Sequence, residues 1–237
     1  MNLIAFDTCF DACSAAAGRR LRSLTPAISY AYEPMVRGHA ERLMPMIEAV
    51  MADAGMTFQE LDRIAIAVGP GTFTGARIAV SAARALSLAT GAPVVAISSL
   101  QLMAMHPDVV AGGAKVIAIA TDARRGEVYF QRIDAHNLQA LAPPALLSIA
   151  DAAQSLAEAK AVVAGSGAAA VVEVATANGV SATAILPGLL PEAIDMLFAC
   201  ADLPLRAKVT PLYLRPPDAK PPAPSSLTGY SLSGNAA

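Results

Sequence analysis

One stretch, Gly69 to Ala79, constrains the fold of this chain more than any other. It follows a short apolar run, Ile64 to Val68, turns on three glycines and opens a long alanine-rich helical pattern that stops at Gly91. Such an order is typical of a buried parallel strand, a tight turn and a helix. Because the first N–H groups of a helix have no partner within it, the turn predicts either an anion site or a close-packed helix-strand contact.

Two phosphate-binding motifs can be tested on this turn, and neither matches. The glycines are spaced G-x-G-x-x-x-G, so Thr74 stands where the dinucleotide fingerprint requires glycine. No Gly-Lys-Ser/Thr follows, which excludes a Walker A loop. Anion binding and close packing both stay open, and the small residues after the turn favour a hinge that starts a helix for a partner.

The composition excludes several classes of protein. The chain has 237 residues, 55% of them hydrophobic, with 17 Lys and Arg against 19 Asp and Glu. It can bury one large or two small cores, but it has no positive surplus for binding a phosphate backbone on its own. Cys9, Cys13 and Cys200 form no C-x-x-C pair and indicate a reducing compartment. Without a signal-peptide pattern or an uncharged apolar run of ~18 residues, we expect a soluble, cytoplasmic protein that does not contact membranes.

An apolar strand that ends at an aspartate occurs twice and predicts an internal duplication. Leu3 to Phe6 precedes Asp7, Val116 to Thr121 precedes Asp122, and each is followed by a segment that can form a hairpin with it. At a strand end, Asp7 is either a turn residue or a carboxylate over a cleft. The pattern predicts an α/β fold of two duplicated actin- and Hsp70-like (ASKHA) lobes, each a mixed sheet flanked by helices.

A break formed by His106-Pro107 and Gly112-Gly113 marks the predicted boundary between the lobes. The first lobe, with the partner-binding helices, is predicted to span residues 1–110 and the second residues 111–215. Residues 216–237 are rich in Pro, Ser, Gly and Ala, cannot bury a core and predict a disordered tail.

Two helical segments of the first lobe have faces suited to another chain. His39 to Ala54 has an apolar sector wider than one packed face requires, and Phe73 to Thr90 carries small residues at helical spacing that allow a close helix-helix approach. On this hypothesis Met46→Glu or Ala79→Arg abolishes pairing and leaves the lobe folded. The residues predicted to form the partner interface are Leu43, Met46, Ile47, Val50, Gly75, Ala79, Ala82 and Ala83.

Several segments together resemble the TsaB family, also called YeaZ. The chain departs from the usual family pattern at Cys9, at Ala76 and in the Pro-rich tail, and none of these changes removes a group that a proposed chemistry needs. The matching segments follow one order along the chain: LIAFDT at 3–8, HAERLMP at 39–45, the loop at 69–78, DARRGEVY at 122–129 and PLYLR at 211–215.

The resemblance implies a non-catalytic subunit of the bacterial complex that installs N6-threonylcarbamoyl on the adenosine beside the tRNA anticodon. It implies a heterodimer with a TsaD-type paralogue that carries the transferase site, and a TsaE-type partner that supplies ATP hydrolysis. It also implies contact with tRNA only through the complex, and a homodimer is left open. That paralogue binds its metal with two histidines four residues apart on a helix, whereas here His39 is followed by Leu43, which cannot ligate a metal.

We therefore expect an inactive paralogue of the transferase and assign no catalytic, cofactor-binding or metal-binding residue and no cofactor. His106 and His136 lack a second ligand nearby in the sequence and are interpreted as surface residues.

Two other functions stay open. A stand-alone ATP-dependent small-molecule kinase of the ASKHA fold would use Asp7 or Asp122 at the cleft and the glycine turns on phosphates, but no other general base can be identified. A metallopeptidase is suggested only by an older name of the wider family, and the missing second histidine counts against it. ATP turnover by the pure chain favours an enzyme, whereas activity only with TsaD and TsaE favours the scaffold.

Overall fold

Two five-stranded mixed sheets, each flanked by helices, make up the fold in a computed structural model of the chain. The structure describes residues 1–156, 161–200, 203–205 and 208–215. The predicted disordered tail at 216–237 lies outside these residues. Within the described ranges, none of the helices combines the length and the apolar character that crossing a bilayer requires.

The first sheet has the strand order β3-β2-β1-β4-β5. β2 is antiparallel to both β1 and β3, whereas β4 is parallel to β1 and to β5. The apolar faces of two helices, α1 (His39–Asp53) and α2 (Phe73–Thr90), cover one side of this sheet. The strands are β1 (Leu3–Phe10), β2 (Ala12–Arg19), β3 (Ala27–Pro34), β4 (Arg63–Ala67) and β5 (Val94–Ile97), with a short 3-10 turn at Phe58–Glu60 before β4.

The second sheet repeats the first, with the order β8-β7-β6-β9-β10 and the same pattern of antiparallel and parallel neighbours. Leu3 pairs with Arg63 in the first sheet, and Val116 pairs with Ala161 at the corresponding place in the second. The predicted duplication is therefore confirmed. The elements of this lobe are β6 (Val116–Asp122), β7 (Glu127–Asp134), β8 (Ala145–Ser148), α5 (Ile149–Gln154), β9 (Ala161–Ala164), α6 (Ala168–Ala177) and β10 (Ala182–Ile185).

The short helices that follow each sheet pack against the other sheet. α3 (Ser99–Ala104) and α4 (Pro107–Val110) come after the first sheet, yet Leu100 and Met103 lie in a core with Ile117 and Ile119 of β6. The reverse holds for a 3-10 turn at Ala193–Asp195 and for α7 (Met196–Ala199). They come after the second sheet and bury Met196 and Leu197 against Leu3 and Ala5 of β1. Each lobe thus completes the core of the other.

This exchange differs from the predicted lobe ranges. The predicted second lobe, 111–215, includes α7 and the buried Val209, but both pack in the cores of the first sheet. The predicted break at His106-Pro107 begins α4, with His106 as its N-cap, and α4 belongs to the core of the second sheet. The chain crosses between the lobes twice, so a single cut cannot separate them.

The glycine turn before α2 is packed directly on the end of β1. A Cβ atom on Gly75 would lie 1.9 Å from the carbonyl oxygen of Thr8, and one on Gly71 would lie 2.2 Å from that of Cys9. The Thr8 hydroxyl donates to the Gly75 carbonyl at 2.7 Å, and the Thr72 N–H donates to the Cys9 carbonyl at 2.7 Å. Of the two roles proposed for this turn, close packing is confirmed, because only residues without a Cβ permit this approach.

The second lobe uses its glycine turn in the same way. A Cβ on Gly165 would lie 2.6 Å from the carbonyl oxygen of Ala120, and the Gly167 N–H donates to that oxygen at 2.9 Å. The Ser166 hydroxyl accepts from the N–H of Asp122 at 2.9 Å. The glycine turn after β9 therefore packs against β6 in the same way as the turn after β4 packs against β1.

Gly75→Ala is expected to lower the free energy of unfolding by about 3 kcal/mol or more, because the added methyl group meets backbone that cannot move aside. Urea unfolding followed by circular dichroism measures this change. Gly188→Ala is the matched control, since a Cβ there meets nothing within 4 Å, and it should change stability by less than about 0.5 kcal/mol. Equal stability of the two variants would contradict the close-packing role.

Candidate partner interface

Most of the predicted interface residues face the core of their own lobe. Only Ala82 is partly exposed, and Gly75 lies under the end of β1. The buried side chains leave little area for another chain, because the apolar period of an amphipathic helix marks the face that covers its own sheet. Their role in an interface stays a prediction. The six that belong to the core formed by α1, α2 and the first sheet are Leu43, Met46, Ile47, Val50, Ala79 and Ala83.

The substitutions first expected to test pairing are therefore unsuitable. Met46 and Ala79 are both 0% exposed. Met46→Glu or Ala79→Arg would bury a charge in the core and destabilise the lobe itself, whether or not a partner binds there.

An open groove runs between the outward sides of α1 and α2. It has a volume of about 390 Å³, and small side chains form much of its wall. Such a wall lets another helix approach closely. The groove is lined by Ala40, Leu43, Met44, Thr74, Arg77, Ile78, Ser81 and Ala82, so the two helices named by the sequence analysis do present a surface, through largely different residues.

Exposed aromatic side chains lie at the N-terminal end of α2, beside this groove. The rings of Phe73 and Tyr213 stack with centroids 4.8 Å apart, and the guanidinium carbon of Arg77 lies 5.1 Å from the centre of the Phe73 ring. Phe73 is 49% exposed and Tyr213 is 44% exposed. At the opposite end of α2, Leu88 is 89% exposed. An apolar surface with aromatic anchors next to a helix groove is typical of a protein-protein contact.

Asp7 is not a turn residue, as one interpretation had it, but lies inside β1 and is almost fully buried. Its Oδ2 accepts a hydrogen bond from the N–H of Cys9 at 3.1 Å, and its Oδ1 has no hydrogen-bond partner among the described residues. Burial raises the pKa of this carboxyl group to about 7, against the partly compensating effect of the Cys9 N–H.

Asp122, its counterpart in the duplication, has a different environment. Its side chain is exposed, and Oδ1 accepts from the N–H of Arg124 at 2.8 Å, as in an Asx turn. The two aspartates of the repeat thus offer one buried carboxyl group that is largely protonated below pH 7 and one local turn residue. This is not a pair of matched carboxylates.

The cysteines and His39 also have structural roles. Cys9, Cys13 and Cys200 are buried free thiols, and burial raises the pKa of both Cys13 and Cys200 to about 12. Nε2 of His39 lies 2.9 Å from the carbonyl oxygen of Phe10. Over the described ranges, no three His, Cys, Asp or Glu side chains come close enough together to hold a metal ion.

Comparison with known proteins gives a consistent result. The family model of TsaD, tRNA N6-adenosine threonylcarbamoyltransferase, matches residues 33–219. The tRNA threonylcarbamoyladenosine biosynthesis protein TsaB of Haemophilus influenzae is 35% identical over 133 residues, which are 56% of this chain and 54% of that protein. The alignment thus spans about half the length of the first curated relatives that the chain matches.

Two solved structures extend the match. YeaZ from Pseudomonas aeruginosa is 32% identical with a TM-score of 0.69, over 84% of this chain and 90% of that one. A protein described as uncharacterized, with similarity to peptidase YeaZ from Pseudomonas aeruginosa, is 32% identical with a TM-score of 0.76, over 90% of this chain and 99% of that one.

The repeated sheet order and the close-packed glycine turns define a duplicated, two-lobed α/β protein of the actin-like class. Within that class, the identity to solved relatives over nearly their whole length is decisive: the chain belongs to the TsaB family, also called YeaZ.

The buried carboxyl group of Asp7 should make stability depend on pH. Its pKa is raised from 3.8 to about 7 by folding, so its contribution is fully present below pH 4 and is lost as the pH rises to about 7. The loss is about 4 kcal/mol at most. Asp7→Asn should remove this contribution, so that the variant gains stability relative to the wild type between pH 4 and pH 8.

Urea unfolding of both proteins at several pH values measures this difference. Asp122→Asn is the matched control, because it makes the same substitution at the exposed counterpart of Asp7 in the repeat. A constant difference between the wild type and Asp7→Asn would show that Asp7 is ionised normally in the folded protein.

Proposed function

We propose that this chain is a non-catalytic, activating subunit in the biosynthesis of N6-threonylcarbamoyladenosine in tRNA, and that it acts by pairing with a TsaD-type paralogue. The observation that carries the proposal is the open groove between α1 and α2, with exposed aromatic side chains at its end, on a chain of the TsaB family. The name of the Haemophilus influenzae relative supports the pathway.

The likeness between the chain and its proposed partner supports the mode of pairing. The TsaD family model matches most of this chain, so the partner carries helices that correspond to α1 and α2. Two related surfaces can pack in a nearly two-fold arrangement, as identical subunits do in a dimer. The small side chains of Ala40, Ser81 and Ala82 leave room for a facing helix.

The state of the two duplicated aspartates supports a scaffold over a kinase. A kinase needs an ionised carboxylate at the cleft to act as base or to hold a metal. Here Oδ1 of Asp122 accepts from the N–H of its own turn. Asp7 is buried inside β1 with Oδ2 bonded to the Cys9 N–H, so the two aspartates do not form a pair of carboxylates exposed at a cleft. The α2 end of the first glycine turn is also occupied, because the Thr72 hydroxyl accepts from the Gly75 N–H at 3.0 Å.

The remaining members of the complex follow from the same proposal. A TsaE-type ATPase supplies ATP hydrolysis, and tRNA reaches this chain only as part of the assembly. The formal net charge of −2 supports the second point, since a chain that binds a phosphate backbone alone normally has a positive surplus.

Ser81→Arg should weaken binding to the TsaD-type paralogue of the same organism about tenfold or more, because a long charged side chain would fill the groove. Ser81 is exposed, so the melting temperature should not change. Thr176→Arg adds the same group at an exposed position of α6 in the second lobe and serves as the control. Titration calorimetry with the purified paralogue measures both variants. Wild-type affinity of Ser81→Arg would show that the groove does not bind the partner.

Reconstitution of tRNA modification tests the function itself. We expect threonylcarbamoyladenosine, detected by mass spectrometry of the digested tRNA, only when this chain is added to the TsaD-type and TsaE-type proteins. Calorimetric titration of the pure chain with ATP tests the kinase alternative. Tight binding with turnover by the chain alone, or full modification without it, would overturn the scaffold proposal.

A further inference from the structure

The C-terminal segment 208–215, here called the strap, runs across the first lobe beside the glycine turn. The Leu212 N–H donates to the carbonyl oxygen of Val68 at 2.8 Å, directly after β4. Nε of Arg84, on α2, donates to the carbonyl oxygen of Val209 at 3.1 Å, and the Val209 side chain is buried in the core under α2. The strap is therefore attached to the strand and to the helix that flank the turn.

The far end of the strap reaches the second lobe. The guanidinium of Arg215 forms an ion pair with the carboxylate of Glu127, the first residue of β7. The Arg215 side chain is only 18% exposed, so this pair is better shielded from water than the usual surface ion pair. The strap thus connects the β6–β7 hairpin to the N-terminal end of α2.

Between these two attachments, Tyr213 points its ring onto Phe73. The ring extends the exposed surface at the end of the groove, next to Arg77, which lines the groove itself. Arg77 has no ion pair with any described residue, so its charge is available to a partner. The surface beside α2 is consequently built from two parts of the chain that are far apart in sequence.

We propose that the strap forms part of the docking surface, with Tyr213 as a contact residue and the Arg215–Glu127 pair as positioning residues that hold Tyr213 in place. This inference rests on the proposed function, whose partner is the TsaD-type paralogue. A partner helix that complements this surface places an apolar side chain against the Tyr213 ring and a carboxylate near Arg77.

The contact role is tested by Tyr213→Ala and Tyr213→Phe in the full chain, with the dissociation constant for the purified paralogue as the readout. Tyr213→Ala should raise it about tenfold or more, as for an aromatic anchor, whereas Tyr213→Phe keeps the ring and should stay near the wild type. Tyr30→Ala on β3 is the control, since Tyr30 is an exposed aromatic residue at 59%, and it should bind like the wild type.

The positioning role is tested by exchanging the charges. Arg215→Glu should weaken binding, and adding Glu127→Arg to it should restore the affinity. The melting temperatures of both unbound variants should equal that of the wild type, which separates positioning from a loss of general stability. Hydrogen exchange of the wild-type complex provides a second readout, in which peptides covering 208–215 should gain protection together with those of α1 and α2.

The outcomes separate the two proposals. Wild-type affinity of Tyr213→Ala, or protection of α1 and α2 without protection of 208–215, would overturn the role of the strap and leave the groove as the interface. Failure of the double exchange to restore binding would overturn the positioning role. Failure of the wild-type chain to bind the paralogue at all would overturn the proposed function instead.

Discussion

The exchange of short helices between the two sheets is the contact on which the rest of this structure depends. Leu100 and Met103, which follow the first sheet, fill the core of the second, while Met196 and Leu197 return to fill the first. Because each sheet lacks part of its apolar cover without the other, the lobes gain their stability together. This exchange fixes the relative position of β1 and β6. It also fixes the path that brings the strap, residues 208–215, back to α2.

The local architecture could be predicted from the sequence because it follows from local rules. Apolar runs, helical periodicity and glycines in the sequence predict β1, β2, α1, α2 and the duplicated β6–β7 hairpin. The return of residues 193–200, and later of Val209 and Leu212, to the first lobe could not be read in this way, because it depends on contacts between distant segments. β8 was missed because its partly exposed residues, 145–148, show no apolar alternation. The sequence also predicts a helix from Ser148 to Lys160. Residues 157–160 lie outside the described part of the chain, and the observed α5 spans Ile149–Gln154.

The groove lies between the two helices that the sequence named, but of the predicted residues only Leu43 and Ala82 line it. Apolar side chains at helical spacing identify the face toward the protein's own sheet, so Met46 and Ile47 gave the buried side of α1. The groove side, which we propose as the docking surface, includes small and polar residues such as Ser81, whose pattern resembles any solvated face. Tyr213 could not be associated with Phe73 without the fold. Asp7 was expected at a strand end but lies inside β1, and its burial and protonation depend on packing that only the structure supplies.

The groove between α1 and α2 is open because several of the side chains that line it are small. Ala40 and Ala82 carry the fewest side-chain atoms compatible with a regular helix, and Ser81 carries only one more, so nearly every substitution there adds volume and narrows the opening. Under the proposed pairing, substitutions at these positions therefore change partner choice mainly by excluding helices that carry larger side chains. Under the proposed pairing, a duplicated gene that retained the small residues would keep its ability to bind the partner, whereas one that accumulated larger residues would lose it without any change in its core.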